Sequence, residues 1–554
     1  MEKLSFKIVT DKFPKLSKNI KEYDNHCVTY LLHNNNELYV GESSNFAQRI
    51  VSHRNDKHKK QYNLTSTRVI ISDYFNKSAV YDIETRLMNY MFSDGKYKIV
   101  NRKTNQAPHN YYMRDQINSD LFVELWKELK DLKIVKSDIR LIENSDLFKF
   151  SPFKGFSGSQ LDVLDKIIDF ITEETSKIVV HHDGDIIQRT LTKNENFIIV
   201  SGNPGTGKSL LISKIIFELY LVYQIPRNLK IGICLSKKNL IPTYRKVIRH
   251  YSKLNSSKNK IEIDLLKPSD LYKLNDKHYD LLLVDEAHRL CQYYSKQANF
   301  LKILENKGKT QLDFAREKSK KTIIFHDKLQ MIRPADIRVS ELKSPCLSLE
   351  LKEQFRVKAG SIYTDWIKGL LQMDEQKPLK MEGISEYFKS FNTINDLYKE
   401  IKKKQKGHGV ARIVAGFYIP WMSKPKNKKH IKDFKDEGLN VAWNSTDKDW
   451  VNSKNADNEI GCVHTVQGFD ITHCGVIIGD DIYFDKKDNK VKIRKEHYYD
   501  EKGIPVKGTD PDDKELTQYI KNAYYVLLTR GIESTSVYIK DRALRERFNQ
   551  YIKS

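Results

Sequence analysis

"FIIVSGNPGTGKSLLISKII", residues 197–216, places an apolar run, a glycine-bearing loop and a second apolar run in that order. Gly202, Gly207, Lys208 and Ser209 fall in the spacing G-x-x-x-x-G-K-S, with Pro204, Gly205 and Thr206 inside the loop. The spacing suits one chemistry. Glycines let successive backbone N–H groups wrap phosphate oxygens, the lysine meets the β and γ phosphates, and the hydroxyl of Ser209 is a ligand for Mg2+. The apolar run before the loop reads as a strand buried on both faces, which predicts a parallel α/β sheet with ATP at its edge.

Further along, "YDLLLVDEAHRL" (279–290) ends a second buried run in Asp285 and Glu286. Two carboxylates at a strand's end opposite a phosphate loop divide the labour. Asp285 holds Mg2+ through water, and Glu286 orients or deprotonates the attacking water. "IIFHDKLQMIRP" (323–334) puts Gln330 where it senses the γ phosphate, while "LKEQFRVKAG" (351–360) and "YYVLLTRGI" (524–532) offer Arg356 and Arg530. A guanidinium arriving from a second domain stabilises charge on the transferring phosphate. Such a domain is expected, because the buried-run pattern resumes in "ARIVAGF" (411–417), "EIGCVHTVQGF" (459–469), "CGVIIGDD" (474–481) and "NAYYVLLTRG" (522–531). Residues 151–340 and 341–554 are therefore read as two nucleotide-handling domains, with a solvated, charged excursion at about 481–520.

The ordered series "SGNPGTGKS", "VDEAH", "HDKLQ", "EQFR", "VHTVQGFD" and "LLTRG" resembles a superfamily 1 helicase with tandem RecA-like domains. The words "RIVAGFYIPW" and "VAWNSTDKDW" bring it closer to the Schlafen group-3-like DNA/RNA helicases. That resemblance implies an adenine contact for Gln160, and makes Thr465, Gln467 and Gly468 coupling elements between nucleotide and strand. Asp470 stands where such helicases often carry the longer Glu. No inserted strand-splitting domain is evident, so the resemblance implies ATP-driven translocation more than processive unwinding.

The N-terminal 120 residues follow another logic. "VTY" (28–30) and "YVG" (39–41) are two tyrosine-bearing strands around a polar turn, with Arg49 and His53 one helical turn apart beyond them. On the helix "SAVYDIETRLMNYM" (78–91), Val80, Ile83, Leu87 and Met91 form the apolar stripe, and Glu84 borders it. A carboxylate beside a core face needs a ligand or partner. The series is similar to the GIY-YIG nucleases, with Val28-Thr29 replacing Gly-Ile. By that resemblance Glu84 binds one divalent metal, Mg2+ or Mn2+, and Arg49 steadies the scissile phosphate. Tyr30 or Tyr39 handles the attacking water, and Asn101 braces the site. Residues 121–150, with a stripe at Leu121, Leu125, Leu129 and Leu132, read as a connecting helix.

Composition supports a polyanionic partner. Lysine plus arginine number 95 against 72 acidic residues, a formal charge of +23. The six cysteines are scattered, as in a reducing compartment, and no run reaches the roughly 18 apolar residues of a membrane span. The expected protein is a cytoplasmic fusion: a small α+β nuclease followed by tandem RecA-like parallel-sheet domains. Its expected work is ATP-dependent translocation coupled to endonuclease cleavage, on DNA in preference to RNA, in restriction or antiphage defence, alone, as a homo-oligomer or with a partner defence protein. Three alternatives stay open: a nucleotide-gated nuclease without translocation, a DNA-repair or RNA-processing role, and an N-terminal domain that is a catalytically dead nucleic-acid clamp.

Overall fold

A computed structural model shows a mixed α/β chain. It describes every residue except 1–3, 15–23, 102–109, 144, 173–176, 183–184, 191–195, 222–228, 237–239, 255–260, 293–308, 339–344, 346, 361, 374–376, 408, 425–430, 436–437, 447–448, 468, 502, 504–512 and 554. The chain separates into two compact units. The first comprises residues 1–191, 209–232 and 240–265, and the second 192–208, 233–239 and 266–554.

In the first unit, β1 (Lys7–Lys12), β2 (Val28–His33), β3 (Glu37–Ser43), β4 (Ser66–Ile71) and β5 (Lys98–Ile99) form a sheet in the order β1-β4-β2-β3-β5. The β2–β3 pair is antiparallel, with Tyr30 opposite Gly41 and Leu32 opposite Tyr39. Helix α1 (Phe46–Asn55) begins where the Asn45 side chain accepts the Gln48 N–H. Helix α2 (Lys77–Asp94) is capped in the same way by Asn76 and stops at Gly95, whose φ of 66° suits glycine. Val80, Ile83, Leu87 and Met91 are buried on α2, as its spacing requires.

The far end of α2 joins an aromatic cluster within the same unit. Phe92 packs edge-on at 5.5 Å from Phe153 and at 4.5 Å from His250, centroid to centroid. Phe153 in turn meets Phe217 on α3 (Lys208–Leu221), the helix that begins at Lys208. Ser213 of α3 lies 2.7 Å from the Tyr251 hydroxyl on α4 (Leu240–Leu254).

In the second unit, β6 (Phe197–Gly202), β7 (Tyr279–Asp285), β8 (Ser319–His326) and β9 (Leu347–Leu351) run parallel in the order β7-β8-β6-β9. A second, six-stranded parallel sheet spans residues 388–539.

Three expectations need correction. "NAYYVLL" is not a strand but part of the helix Asp513–Leu528, and the strand follows at Gly531–Ile539. Tyr524 to Leu528 are all buried, and a helix buried on every side has the continuous apolar run of an interior strand. Leu132 does not join the connector's apolar face. The helix Phe122–Asp131 ends before it and leaves it 44% exposed, while Leu121, Leu125, Leu129 and Trp126 are buried. The charged excursion does contain a hairpin, Ile482–Asp485 with Lys490–Ile493. It is not wholly solvated, because Asp481, Ile482, Val491, Tyr498 and Asp500 are buried. Burial pushes the Asp481 carboxyl up to about 7 as it accepts the Tyr524 hydroxyl at 2.5 Å.

Candidate active sites

The phosphate loop leaves β6 at Gly202 and turns through Gly205 and Gly207, whose φ angles of 84° and 89° exclude larger residues at little cost only to glycine. A Cβ on Gly202 would lie 2.5 Å from Thr206 Oγ1, and one on Gly205 would lie 2.8 Å from the Cβ of Arg356. Lys208, 7% exposed, donates to the carbonyls of Gly202 (2.5 Å) and Asn203 (3.0 Å). Its Nζ also stands 3.5 Å from the buried Asp327 carboxylate. Ser209 follows as the second residue of α3.

Asp285 ends β7, buried, and accepts the Glu286 N–H at 3.0 Å. Glu286 holds φ 51° and ψ 47°, a left-handed conformation that costs a non-glycine residue about 1–3 kcal/mol and is concentrated at functional sites. Its carboxylate is 3.0 Å from His288 Nε2.

Gln330 and the two arginines converge on the same region. Gln330 donates to Asp327 at 2.7 Å and accepts from Arg530 Nη2 at 3.3 Å. Gln467 donates to the Gln330 carbonyl at 3.2 Å. Arg530 is buried; its proton affinity is lowered to about 10, first by that burial and then by Arg356, while Glu286, Asp470 and Asp327 oppose the shift. Arg356 pairs with Asp470 at 2.7 Å, and its buried Nη1 has no hydrogen-bond partner among the described residues. An N–H donor left so beside a phosphate loop fits an anion, and so does the loop itself. The loop and Arg356 therefore fit the phosphates of ATP, and Asp285, a buried carboxylate at the end of β7, suits Mg2+.

Gln160 belongs to the first unit, where its side chain accepts the Ser157 N–H at 3.0 Å at the start of the helix Gly158–Thr172. Thr465 is buried and bonds back to the Cys462 carbonyl at 2.8 Å. Gly468 lies outside the described residues. Three residues escaped the sequence reading. Asp327 gathers Lys208 and Gln330, and His326 beside it is held neutral, down to about 3, by burial and then by His288. Phe355, 53% exposed, donates its N–H to the Gly205 carbonyl at 3.0 Å. Adjacency of Asp327 to Gln330 at the end of a buried strand was the available signal for the first.

In the first unit the nuclease residues do come together. Tyr30 Oη is 2.6 Å from His53 Nε2 and accepts Arg49 Nε–H at 3.3 Å. Tyr39 packs edge-on to His53 at 5.1 Å and lies 6.3 Å from Tyr30, centroid to centroid. Burial raises both phenols, Tyr30 well above the usual range and Tyr39 to about 12; Arg49 pulls each back. The negative charge of Glu84 acts on both, so the carboxylate shares their environment. Asn101 grips Val40 from both sides, accepting its N–H at 3.0 Å and donating to its carbonyl at 2.7 Å. It thus holds the strand between Tyr39 and Gly41.

Among the described residues no group of three or more His, Cys, Asp and Glu side chains is gathered as a metal cage. Glu84, 9% exposed, is a carboxylate whose charge acts on both phenols. That suits Mg2+, which takes one or two carboxylates and completes its shell with water and phosphate oxygens.

The spacing Y-V-G has a physical reason. A Cβ on Gly41 would fall 2.4 Å from Cζ and Oη of Tyr30, so the ring lies across the glycine. Gly41→Ala must push the ring off Arg49 and His53, at an overpacking cost of roughly 1–3 kcal/mol. The expected result is a lower melting temperature and a slowed cleavage step with ATP hydrolysis unchanged; wild-type cleavage by the variant would contradict this placement.

A parallel-sheet ATPase core and a two-tyrosine nuclease site define a nuclease joined to a helicase-type ATPase. The chain belongs to the Schlafen group 3, DNA/RNA helicase domain family, whose match runs over residues 195–541. Residues 26–97 match the GIY-YIG catalytic domain. The uncharacterized protein YPL245W of Saccharomyces cerevisiae is 26% identical over 390 residues, 64% of this chain and 84% of that protein. Among solved structures, a DEAD box protein from Methanococcus jannaschii is similar at 11% identity, covering 65% of this chain and 86% of the other with a TM-score of 0.24. S. cerevisiae Dbp5 bound to RNA and ADP BeF3 is similar at 11%, 76%, 91% and 0.30, respectively. Scores of this size carry no residue roles across. The protein is thus an ATPase and a phosphodiesterase that binds nucleic acid; no helix among the described residues is long and apolar enough to cross a membrane.

Proposed function

We propose that ATP turnover in the helicase domain drives translocation on DNA and licenses cutting by the GIY-YIG domain, as a cytoplasmic defence against foreign DNA. Mg2+ serves both sites, with Mn2+ an alternative at Glu84. At the ATP site, Lys208 and the loop N–H groups bind the phosphates. Glu286 orients the water, and Arg356 and Arg530 neutralise charge developing on the γ phosphate. The metal would add charge neutralisation on phosphate oxygens. In the nuclease, Arg49 meets the scissile phosphate while Tyr30 and Tyr39 order the water.

The observation that carries coupling is the aromatic cluster of the first unit. The helix bearing Glu84 ends in Phe92, which packs through Phe153 on Phe217 of the helix that starts at Lys208. A shift of α3 when the loop closes on phosphate has a packed route to α2, because packed side chains move as a body.

Plasmid cleavage with Mg2+, with and without ATP, checks this for wild type and Phe92→Ala. Wild-type cutting should rise severalfold with ATP; Phe92→Ala should keep ATP hydrolysis and basal cutting but lose the rise. ATP-independent cutting by wild type would sink the coupling. A triplex-displacement assay on the same protein separates translocation from a nucleotide-gated switch, which would show ATP turnover without displacement.

A further inference from the structure

One cation at the nuclease site has no role in the scheme above. Lys59, in the short helix Lys57–Lys60, has a side chain 11% exposed. Its Nζ contacts His53 Nδ1 and stands 3.7 Å from the centre of the Tyr39 ring. Asp56 Oδ2 is 4.0 Å away, and Arg49 and Glu84 also act on it. Burial, then Arg49, lowers Lys59 to about 8, which leaves it an ammonium at neutral pH.

Hydrogen-bond direction follows from that. An ammonium has three donors and no acceptor, so His53 Nδ1 accepts, and a neutral ring then carries its proton on Nε2. His53 is kept neutral, pushed down to about 3 by burial and then by Lys59 and Arg49. Its Nε2–H therefore donates to Tyr30 Oη across the 2.6 Å contact. Arg49 Nε–H donates to the same oxygen. A phenol oxygen has two lone pairs, and both are then filled.

We propose that Lys59 is a positioning residue of the nuclease: its ammonium fixes His53 as the Nε2–H tautomer and points the chain Lys59 to His53 to Tyr30 in one direction, so that the Tyr30 O–H is given on to Tyr39. Tyr30 can give a hydrogen bond but cannot receive another.

This rests on the GIY-YIG site cutting nucleic acid. The test is single-turnover cleavage of an end-labelled DNA duplex, with Mg2+, by the full chain; ATP hydrolysis reports that each variant is folded. Lys59→Met, which keeps apolar bulk over Tyr39, should lower the cleavage rate constant at saturating enzyme about 10–100-fold, the usual loss for a partner that orients a reactive group. DNA affinity should not change. Lys59→Arg, a cation with donors, should recover most of the rate. In a His53→Ala background Lys59→Met should add no further loss, since its effect runs through that ring. Wild-type cutting that Lys59→Met leaves intact, or losses that add in the double variant, overturns the proposal alone. A wild type that cuts neither DNA nor RNA with Mg2+ or Mn2+ overturns the nuclease reading and this proposal with it. If Lys59→Met is unfolded, Lys59→Gln decides: it retains an N–H donor for Nδ1, and a rate near wild type supports the tautomer assignment while a loss as large as that of His53→Ala refutes it.

Discussion

Lys208→Ala lowers nucleic-acid-stimulated ATP hydrolysis by about a hundredfold or more, the scale on which loss of one preorganised phosphate-stabilising donor is felt. The geometry explains why no neighbour substitutes. Lys208 is nearly enclosed by its own loop, bonded to the Gly202 and Asn203 carbonyls and facing Asp327. Arg356 and Arg530 are already engaged, one paired with Asp470 and the other bonded to Gln330. Alanine therefore leaves the β and γ phosphates without their central cation. It also leaves the buried Asp327 carboxylate with Gln330 but without the Lys208 charge, which loosens Gln330, the proposed γ-phosphate sensor, as well. Phosphate release at saturating ATP reads the effect. A variant turning over at more than about a tenth of the wild-type rate would show that the arginines carry the charge stabilisation instead.

Lys208 was legible because its chemistry is local: loop, lysine and hydroxyl are consecutive, and the strand and helix around them leave strong patterns. The parallel sheets were legible for the same reason, since interior strands such as Phe197–Gly202 and Tyr279–Asp285 are apolar throughout. That signal failed at Asp513–Leu528, where a fully buried helix leaves the same run of apolar residues. Arg356, Gln330 and Arg530 could be named but not connected, because their contacts join residues up to 200 positions apart. Lys59 carried no signal at all. In "NDKHKKQ" it is one lysine in a basic run, and only the fold turns its ammonium onto His53 and Tyr39. Gly41 shows the reverse: the spacing was visible, but its cause, the Tyr30 ring lying across it, required strand register.

Glu84→Gln should abolish cleavage, by about 10^3-fold or more if the carboxylate binds the metal that neutralises the scissile phosphate. The substitution is nearly isosteric, so the apolar stripe of Val80, Ile83 and Leu87 stays packed and ATP hydrolysis is expected to be unchanged. It also separates two roles of opposite sign. The negative charge of Glu84 raises the proton affinity of both Tyr30 and Tyr39. Removing it lowers both, which by itself makes either phenol easier to ionise and would speed any step limited by phenol deprotonation. A carboxylate acting only through the field would thus yield a faster enzyme at alkaline pH, whereas a metal-binding carboxylate yields a dead one. A metal titration completes the distinction. Glu84→Asp, with a shorter reach, should need more Mg2+ or Mn2+ for half-maximal cutting, while Arg49→Ala, which removes the phosphate contact, should lose rate at every metal concentration. Faster alkaline cleavage by Glu84→Gln, or a metal requirement unmoved in Glu84→Asp, would remove Glu84 from the metal's coordination shell and leave it as an electrostatic neighbour of the two tyrosines.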